Sequence, residues 1–183
     1  MEFRSTEIAE VIEVIPTVYG DHRGFFLETW HAERYAENGI ALPFVQDNHS
    51  KSSPGILRGL HAQLARPQGK LVRCLEGAIF DVAADVRRGS PTFGQWVGRT
   101  LSAENHHQLW VPPGFVHGFC VLGDAPAQVA YKCTDLYDQA DEYGVRWDDP
   151  DLGIEWPIDD PTLSAKDAAA PLLAEHGERL PAY

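Results

Sequence analysis

The sequence predicts an all-β fold, an antiparallel sandwich or barrel decorated by short helices, and three observations carry that expectation. Sixteen glycines and thirteen prolines are scattered as punctuation instead of being gathered into one linker. Turn signals recur at Gly20-Asp21, Ser53-Pro54-Gly55, Glu76-Gly77, Gly89-Ser90-Pro91, Pro112-Pro113-Gly114 and Gly123-Asp124. The stretches between them are short, apolar and of strand length, a spacing typical of sandwiches and barrels.

Taken in order, Val11–Ile15 and Phe25–Trp30 are the first strand candidates, with Gly20-Asp21 marking the turn between them. His31–Asn38 has helical spacing and stops at Gly39, as a glycine after a last turn would have it. Eight more strands follow: Phe44–Lys51, Ile56–Gln63, Leu71–Leu75, Ala78–Val86, Trp96–Leu101, Gln108–Val111, Gly118–Leu122 and Ala127–Cys133. A second helix is expected over Ser164–Leu173 near the C-terminus. There is no internal repeat, low-complexity tract or composition break, so one domain is expected over residues 1–183.

Composition narrows the function classes. At 183 residues, with 44% hydrophobic and 23% charged side chains, the chain can bury a sizeable core, and wholesale disorder is excluded. Fifteen basic against twenty-seven acidic residues leave a formal charge of −12, which argues against non-specific nucleic-acid or anionic-membrane binding. The charge is graded: residues 51–99 hold eight Lys/Arg and three acids, residues 134–167 two and eleven. The basic stretch is either an anion site or solvated surface. No apolar run approaches the roughly 18–20 residues of a membrane span, and Met-Glu-Phe-Arg-Ser-Thr-Glu lacks a signal-peptide pattern. Cys74, Cys120 and Cys133 are odd in number and form no close pair. Buried reduced thiols in a cytoplasmic protein are expected.

No nucleotide-cofactor loop, Cys-x-x-Cys or nucleophile elbow occurs, so polar residues embedded in apolar strands carry the functional question. Arg58 and His61 interrupt Ile56–Gln63 three residues apart, an offset that puts them on opposite faces of a regular strand. A bulge at Gly59 would break that parity; the alternative is a core histidine satisfied by one backbone partner. Lys70 opens a strand after Pro67-Gln68-Gly69, where a lysine is usually solvated, and Tyr131 reads equally well as a core aromatic. Gln46-Asp47-Asn48-His49 is either a polar ligand lining or a plain loop. In Ser164-Ala165-Lys166-Asp167, Asp167 either completes a capping box or orients a histidine.

Pro112-Pro113-Gly114-Phe115-Val116-His117 fits the Pro-x-Gly-x-x-His segment of cupin jelly rolls. The metal-binding members add a His-x-His and a Glu, but here Ala62-Gln63 follow His61. The adjacent His106-His107 would point to opposite faces of a strand, a poor chelate. A catalytic metal is therefore not expected. Beyond this segment, the chain resembles the dTDP-4-dehydrorhamnose 3,5-epimerase family, metal-free relatives of the cupins. The resemblance runs from Gly20-Asp21-His22-Arg23-Gly24-Phe25-Phe26 to Leu163-Ser164-Ala165-Lys166-Asp167. It is strongest over Phe44–Ser50, Leu57–Gln63, Gly69–Arg73, Phe80–Phe93, Val111–Phe119, Tyr131–Thr134 and Trp147–Trp156.

The resemblance implies a cupin-type jelly roll in which His61 accepts a proton, Asp167 partners His61, Tyr131 donates a proton and Lys70 faces the substrate's carbonyl oxygen. It implies substrate contacts from Arg23, Glu28, Gln46, Asp47, Asn48, Arg58, His117, Glu142 and Lys166, besides Lys70. It also implies a homodimer whose N-terminal strands reach the partner and deliver Arg23 and Glu28. Two departures, Ala62 in place of an aromatic residue and Asp138-Gln139-Ala140 without a proline, are expected to alter the pocket's shape. The implied substrate is dTDP-4-dehydro-6-deoxy-D-glucose, whose C3 and C5 protons both lie α to the 4-keto group. Removing them takes a base titrating near neutrality, a stabilised enolate and an acid on the opposite face. The reaction is redox-neutral, so no cofactor is expected. Two alternatives stay open: an epimerase acting at one centre of a related dTDP-4-ketosugar, and a non-catalytic nucleotide-sugar-binding cupin. A metal-dependent cupin oxygenase, which metal analysis would reveal, carries little weight.

Overall fold

The computed structural model describes residues 1–183. Thirteen strands form two large antiparallel sheets and a separate hairpin. The first large sheet runs β1 (Glu2–Ser5), β2 (Ile12–Ile15), β10 (Gln108–Val111), β7 (Lys70–Glu76), β12 (Ala127–Cys133), β5 (Gln46–Ser52). The second runs β13 (Glu142–Gly144), β6 (Leu57–Gln63), β11 (Phe115–Val121), β8 (Ala78–Asp85), β9 (Trp96–Ser102). The hairpin pairs β3 (Val18–Asp21) with β4 (Gly24–Leu27) and belongs to neither. The all-β, cupin-like sandwich expected from the sequence is the fold found.

Apolar burial is layered. Between the sheets, Val72, Leu109, Val111 and Val129 meet Ile79, Ala83, Phe115, Phe119 and Val121. Behind the second sheet, Leu60, Ala62, Val82 and Val116 are covered by Val145, Leu152, Leu173 and Leu180 of the C-terminal segment. Behind the first, Val14, Leu71 and Trp110 pack on Tyr35 and Ile40, brought in by helix α1 (Ala32–Glu37). Central strands are thus buried on both faces, which is why β11 is buried along its whole length, and apolar but for His117, instead of alternating.

Several boundaries differ from expectation. β11 begins at Phe115, not Gly118, and β4 ends at Leu27, well before Trp30. The expected helix over Ser164–Leu173 is two short helices, α2 (Ala165–Ala168) and α3 (Leu173–His176). Pro171 lies between them, and a proline both lacks the amide donor and biases the residue before it away from helix. Edge strands β1 and β13 and strand β3 carry too little apolar alternation to be read from sequence.

Candidate active site

Between the two large sheets opens a cavity of about 610 Å³. One wall is β6 and β11, the other β5, β7 and β12, and the segment leading into α2 closes the rim. The parity problem at Arg58 and His61 is solved by a bulge. His61 pairs with His117 and Arg58 with Phe119, so three steps along β6 oppose two along β11. Gly59 sits inside the bulge at φ +114°, and a Cβ there would lie 2.5 Å from the Gly118 Cα. Only glycine fits, and the extra residue turns Arg58 and His61 toward the same cavity.

Asp167 is bound to His61, Oδ1 to Nε2 at 2.5 Å, with Asp167 buried and His61 part-exposed. The Ser164 hydroxyl accepts the Asp167 amide at 3.1 Å, so Ser164 caps α2 while the Asp167 carboxylate serves the histidine. Residues ahead of α2 are strapped to β6: the Leu57 amide donates to the Thr162 carbonyl and the Thr162 amide to that of Gly55. That strap brings side chains 106 residues apart into contact. Burial pushes the Asp167 carboxyl up, but the His61 hydrogen bond and charge, with the Ser164 cap, bring it below the ordinary aspartate value. With Nε2 engaged by Asp167, Nδ1 is the nitrogen left to act as a base.

From the facing sheet, Lys70 crosses the interior until its Nζ donates to the His61 carbonyl at 3.4 Å. It is buried, and burial lowers its pKa. Tyr131, opposite Asn48 on β12, lines the same cavity, and burial raises its pKa, keeping the phenol protonated. His117 Nε2 is held by the fully buried Asp81 at 2.8 Å. Along β5, the Gln46 side chain donates to Asn48 at 3.0 Å, and Asn48 donates to the Cys133 thiol at 3.5 Å. Arg58 stands at the opening, its Nε on the Ser52 hydroxyl at 2.9 Å.

At the mouth, Glu142 Oε2 accepts from Lys166 at 2.8 Å and from the Tyr137 hydroxyl at 3.1 Å. Its other oxygen, Oε1, lies 3.9 Å from His61 Nδ1. The loop carrying Tyr137 is fixed from below: Gln63 accepts the Asp138 amide, and Asp141 accepts the amides of Ala65 and Arg66. Tyr137 and Gln68 line the cavity without having been singled out in the sequence, because both sit in irregular segments with no periodicity to mark them.

Three implied contact residues are not brought to this cavity. Asp47 points to the other face of β5, paired with Lys132 at 2.9 Å, because side chains alternate and Gln46 and Asn48 take the inner face. Arg23 lies in the exposed hairpin, bound to Asp21, and Glu28 is bound to Arg34. Ala62 packs behind the sheet instead of lining the cavity. Cys74, Cys120 and Cys133 are all buried free thiols. His107 is bound to Glu13, and no three His, Cys, Asp or Glu side chains converge in a metal-ligand arrangement.

Residues 5–175 match the family model of dTDP-4-dehydrorhamnose 3,5-epimerase. A Neisseria gonorrhoeae protein of that name is 53% identical over 96% of this chain, which spans 53% of the relative's length. A crystal structure of the Legionella pneumophila dTDP-6-deoxy-D-glucose-3,5-epimerase in complex with dTDP-4-keto-L-rhamnose superposes with a TM-score of 0.96. It is 53% identical and covers 100% of this chain and 98% of that one. A Streptomyces niveus dTDP-4-dehydrorhamnose 3-epimerase is 41% identical over 100% of this chain and 90% of its own length.

Proposed function

The chain belongs to the dTDP-4-dehydrorhamnose 3,5-epimerase family, and on that premise we propose that it inverts C3 and C5 of dTDP-4-dehydro-6-deoxy-D-glucose, giving dTDP-4-dehydro-L-rhamnose. This makes it an isomerase that serves dTDP-rhamnose synthesis. The observation that carries the reading is one cavity with a His–Asp pair on one wall, a protonated tyrosine on the other and a buried lysine reaching between them.

His61 Nδ1 takes the proton from C3 or C5, and the C–H electron pair becomes that of the enolate. Asp167 holds the tautomer that leaves Nδ1 free and stabilises the imidazolium formed. The Lys70 ammonium meets the developing oxyanion in a site where burial magnifies its effect. Tyr131 returns a proton to the opposite face. Arg58 and Lys166 suit the diphosphate and its approach, and Gln46, Asn48, His117 and Glu142 hold the sugar nucleotide. A non-catalytic binder needs neither the base nor the opposed acid.

Arg23 and Glu28 enter this proposal through a second copy of the chain, whereas Asp47 stays on the outer face of β5 with Lys132. The β3–β4 hairpin stands apart from both sheets, with Tyr19 and Phe26 directly opposite one another and 65% and 69% exposed. An apolar arm of that kind supports a homodimer in which Arg23 and Glu28 reach the neighbour's cavity. Three buried free thiols support a reducing compartment, the cytoplasm, and no helix is long and apolar enough to cross a membrane. We treat residues 1–183 as one epimerase domain.

Incubating the enzyme with dTDP-4-dehydro-6-deoxy-D-glucose in deuterated water and following C3 and C5 by NMR tests the reading. Exchange with inversion at both carbons is expected. Inversion at C3 alone favours the second reading, a single-centre epimerase, which the likeness to the Streptomyces niveus 3-epimerase supports. No exchange at either carbon overturns both.

A further inference from the structure

Inverting two centres with one base poses a proton problem. After each inversion His61 carries the proton taken from carbon, while Tyr131 has lost its own. The base must shed that proton before it can act again, and Asp167 cannot take it, being engaged at the other nitrogen, Nε2. On the reading of His61 as base, we propose that Glu142 is the proton exit of this site. Its Oε1 accepts the proton from His61 Nδ1 and passes it to water at the rim, so that His61 is reset before the sugar leaves.

The geometry divides the two oxygens of Glu142. Oε2 is pinned by Lys166 and Tyr137, whereas Oε1 faces Nδ1 at 3.9 Å with no other partner. That separation is too long for a hydrogen bond. It suits a resting state in which Nδ1 presents a lone pair to a carboxylate. Once Nδ1 is protonated, the repulsion becomes attraction, and a small approach forms the bond along which the proton leaves. Lys166, at 57% side-chain exposure, links the carboxylate to solvent, while Glu142 itself is 15% exposed. Burial raises the Glu142 carboxyl, but Lys166 and His61 outweigh it and hold it below the ordinary glutamate value, so a proton received is soon passed on. The proton balance closes: carbon to Nδ1, Nδ1 to Oε1, Oε1 to water, with water restoring Tyr131. Glu142 acts through His61 and is in this sense a positioning residue.

The test is Glu142→Gln in deuterated water, comparing deuterium in recovered substrate with product formed. In the wild type, His61 exchanges its proton before returning it, so unreacted substrate gains deuterium. With glutamine the exit is blocked and the original proton goes back. Deuterium gained per product is expected to fall severalfold, with singly inverted sugar accumulating if both centres react. Glu142→Asp, which retains a carboxylate, should keep the ratio near wild type whatever happens to KM. Added formate should restore the ratio in Glu142→Ala. A ratio unchanged in folded Glu142→Gln, with the loss confined to KM, would mean that Glu142 only holds the sugar and overturns the proposal. A wild type that gains no deuterium at all overturns the assignment of the base itself, and this inference falls with it.

Discussion

At the residue scale, one position resolves two chemically opposed readings. Asp167 sits where a capping box places its acid, yet its carboxylate is spent on His61 while Ser164 alone caps the helix. The two roles therefore separate by mutation. Asp167→Asn should lower turnover by up to about 10⁴-fold, as when the carboxylate that orients a catalytic histidine is lost, with little change in melting temperature. Ser164→Ala should cost about 1 kcal/mol of stability and leave turnover nearly intact. Thermal melts and steady-state kinetics on the pair check both. Tyr131 gives a different signature. On the proposed mechanism, Tyr131→Phe retains the ring and removes the hydroxyl, so His61 should continue to take and return protons while reprotonation from the far face stops. Deuterium exchange should then outrun product formation, read on one sample by NMR and a coupled reductase assay. Rates staying in their wild-type ratio would make Tyr131 a packing residue.

At the scale of elements, legibility followed burial. Strands buried on one or both faces, such as β6, β8 and β12, announced themselves as apolar runs, because their composition is set by the core they face. Edge strands β1 and β13 did not, since half their hydrogen bonds and most of their side chains face solvent or a neighbouring chain segment. The missed β13 matters, because its first residue is Glu142. The hairpin of β3 and β4 is the reverse case: Phe25 meets the His106 ring, yet Tyr19, Phe25 and Phe26 all stay largely exposed. Phe26→Asp places a charge on that arm without touching either core. If the proposed homodimer forms through this arm, the variant should be a folded monomer by sedimentation velocity where the wild type is a dimer, with weakened substrate binding if Arg23 and Glu28 act across the interface. A wild type that is itself monomeric, or a variant that stays dimeric, would overturn the role proposed for this arm.

At the scale of the molecule, the pH response follows from carboxylates held by the fold. Asp85 accepts from the Arg87 backbone and guanidinium at 2.8–2.9 Å and from Ser90 and Thr92 at 2.5 and 2.6 Å. Arg87 in turn binds Glu10 and lies over the Phe115 and Tyr183 rings, tying both ends of the chain to β8. Burial raises the Asp85 carboxyl, but these bonds outweigh it and set it below its ordinary 3.8, as similar bonds do for Asp167. A depressed native pKa means that the unfolded chain binds more protons in acid, so this stability is complete above the unfolded value and is lost as pH falls through the native one. Denaturant midpoints should therefore hold near neutrality and fall below about pH 4. Asp85→Asn should cost about 3–5 kcal/mol, as for breaking a buried pair, and flatten that fall.

Fold class, interior strands and the residue types of the site are legible in the sequence, because burial and turn chemistry act locally and leave a local record. It also supplied His61, Tyr131, Lys70 and Asp167 as the candidate set through motif likeness. Which of them meet depends on the folded arrangement. The bulge at Gly59 sets the side to which His61 points, and the strap of Thr162 to β6 brings Asp167 to it. Strand parity turns Asp47 away from the cavity, and a three-residue edge strand sets Glu142 beside the free imidazole nitrogen. These are relations between segments far apart in the chain. They arise from register and docking, which no stretch of sequence encodes alone.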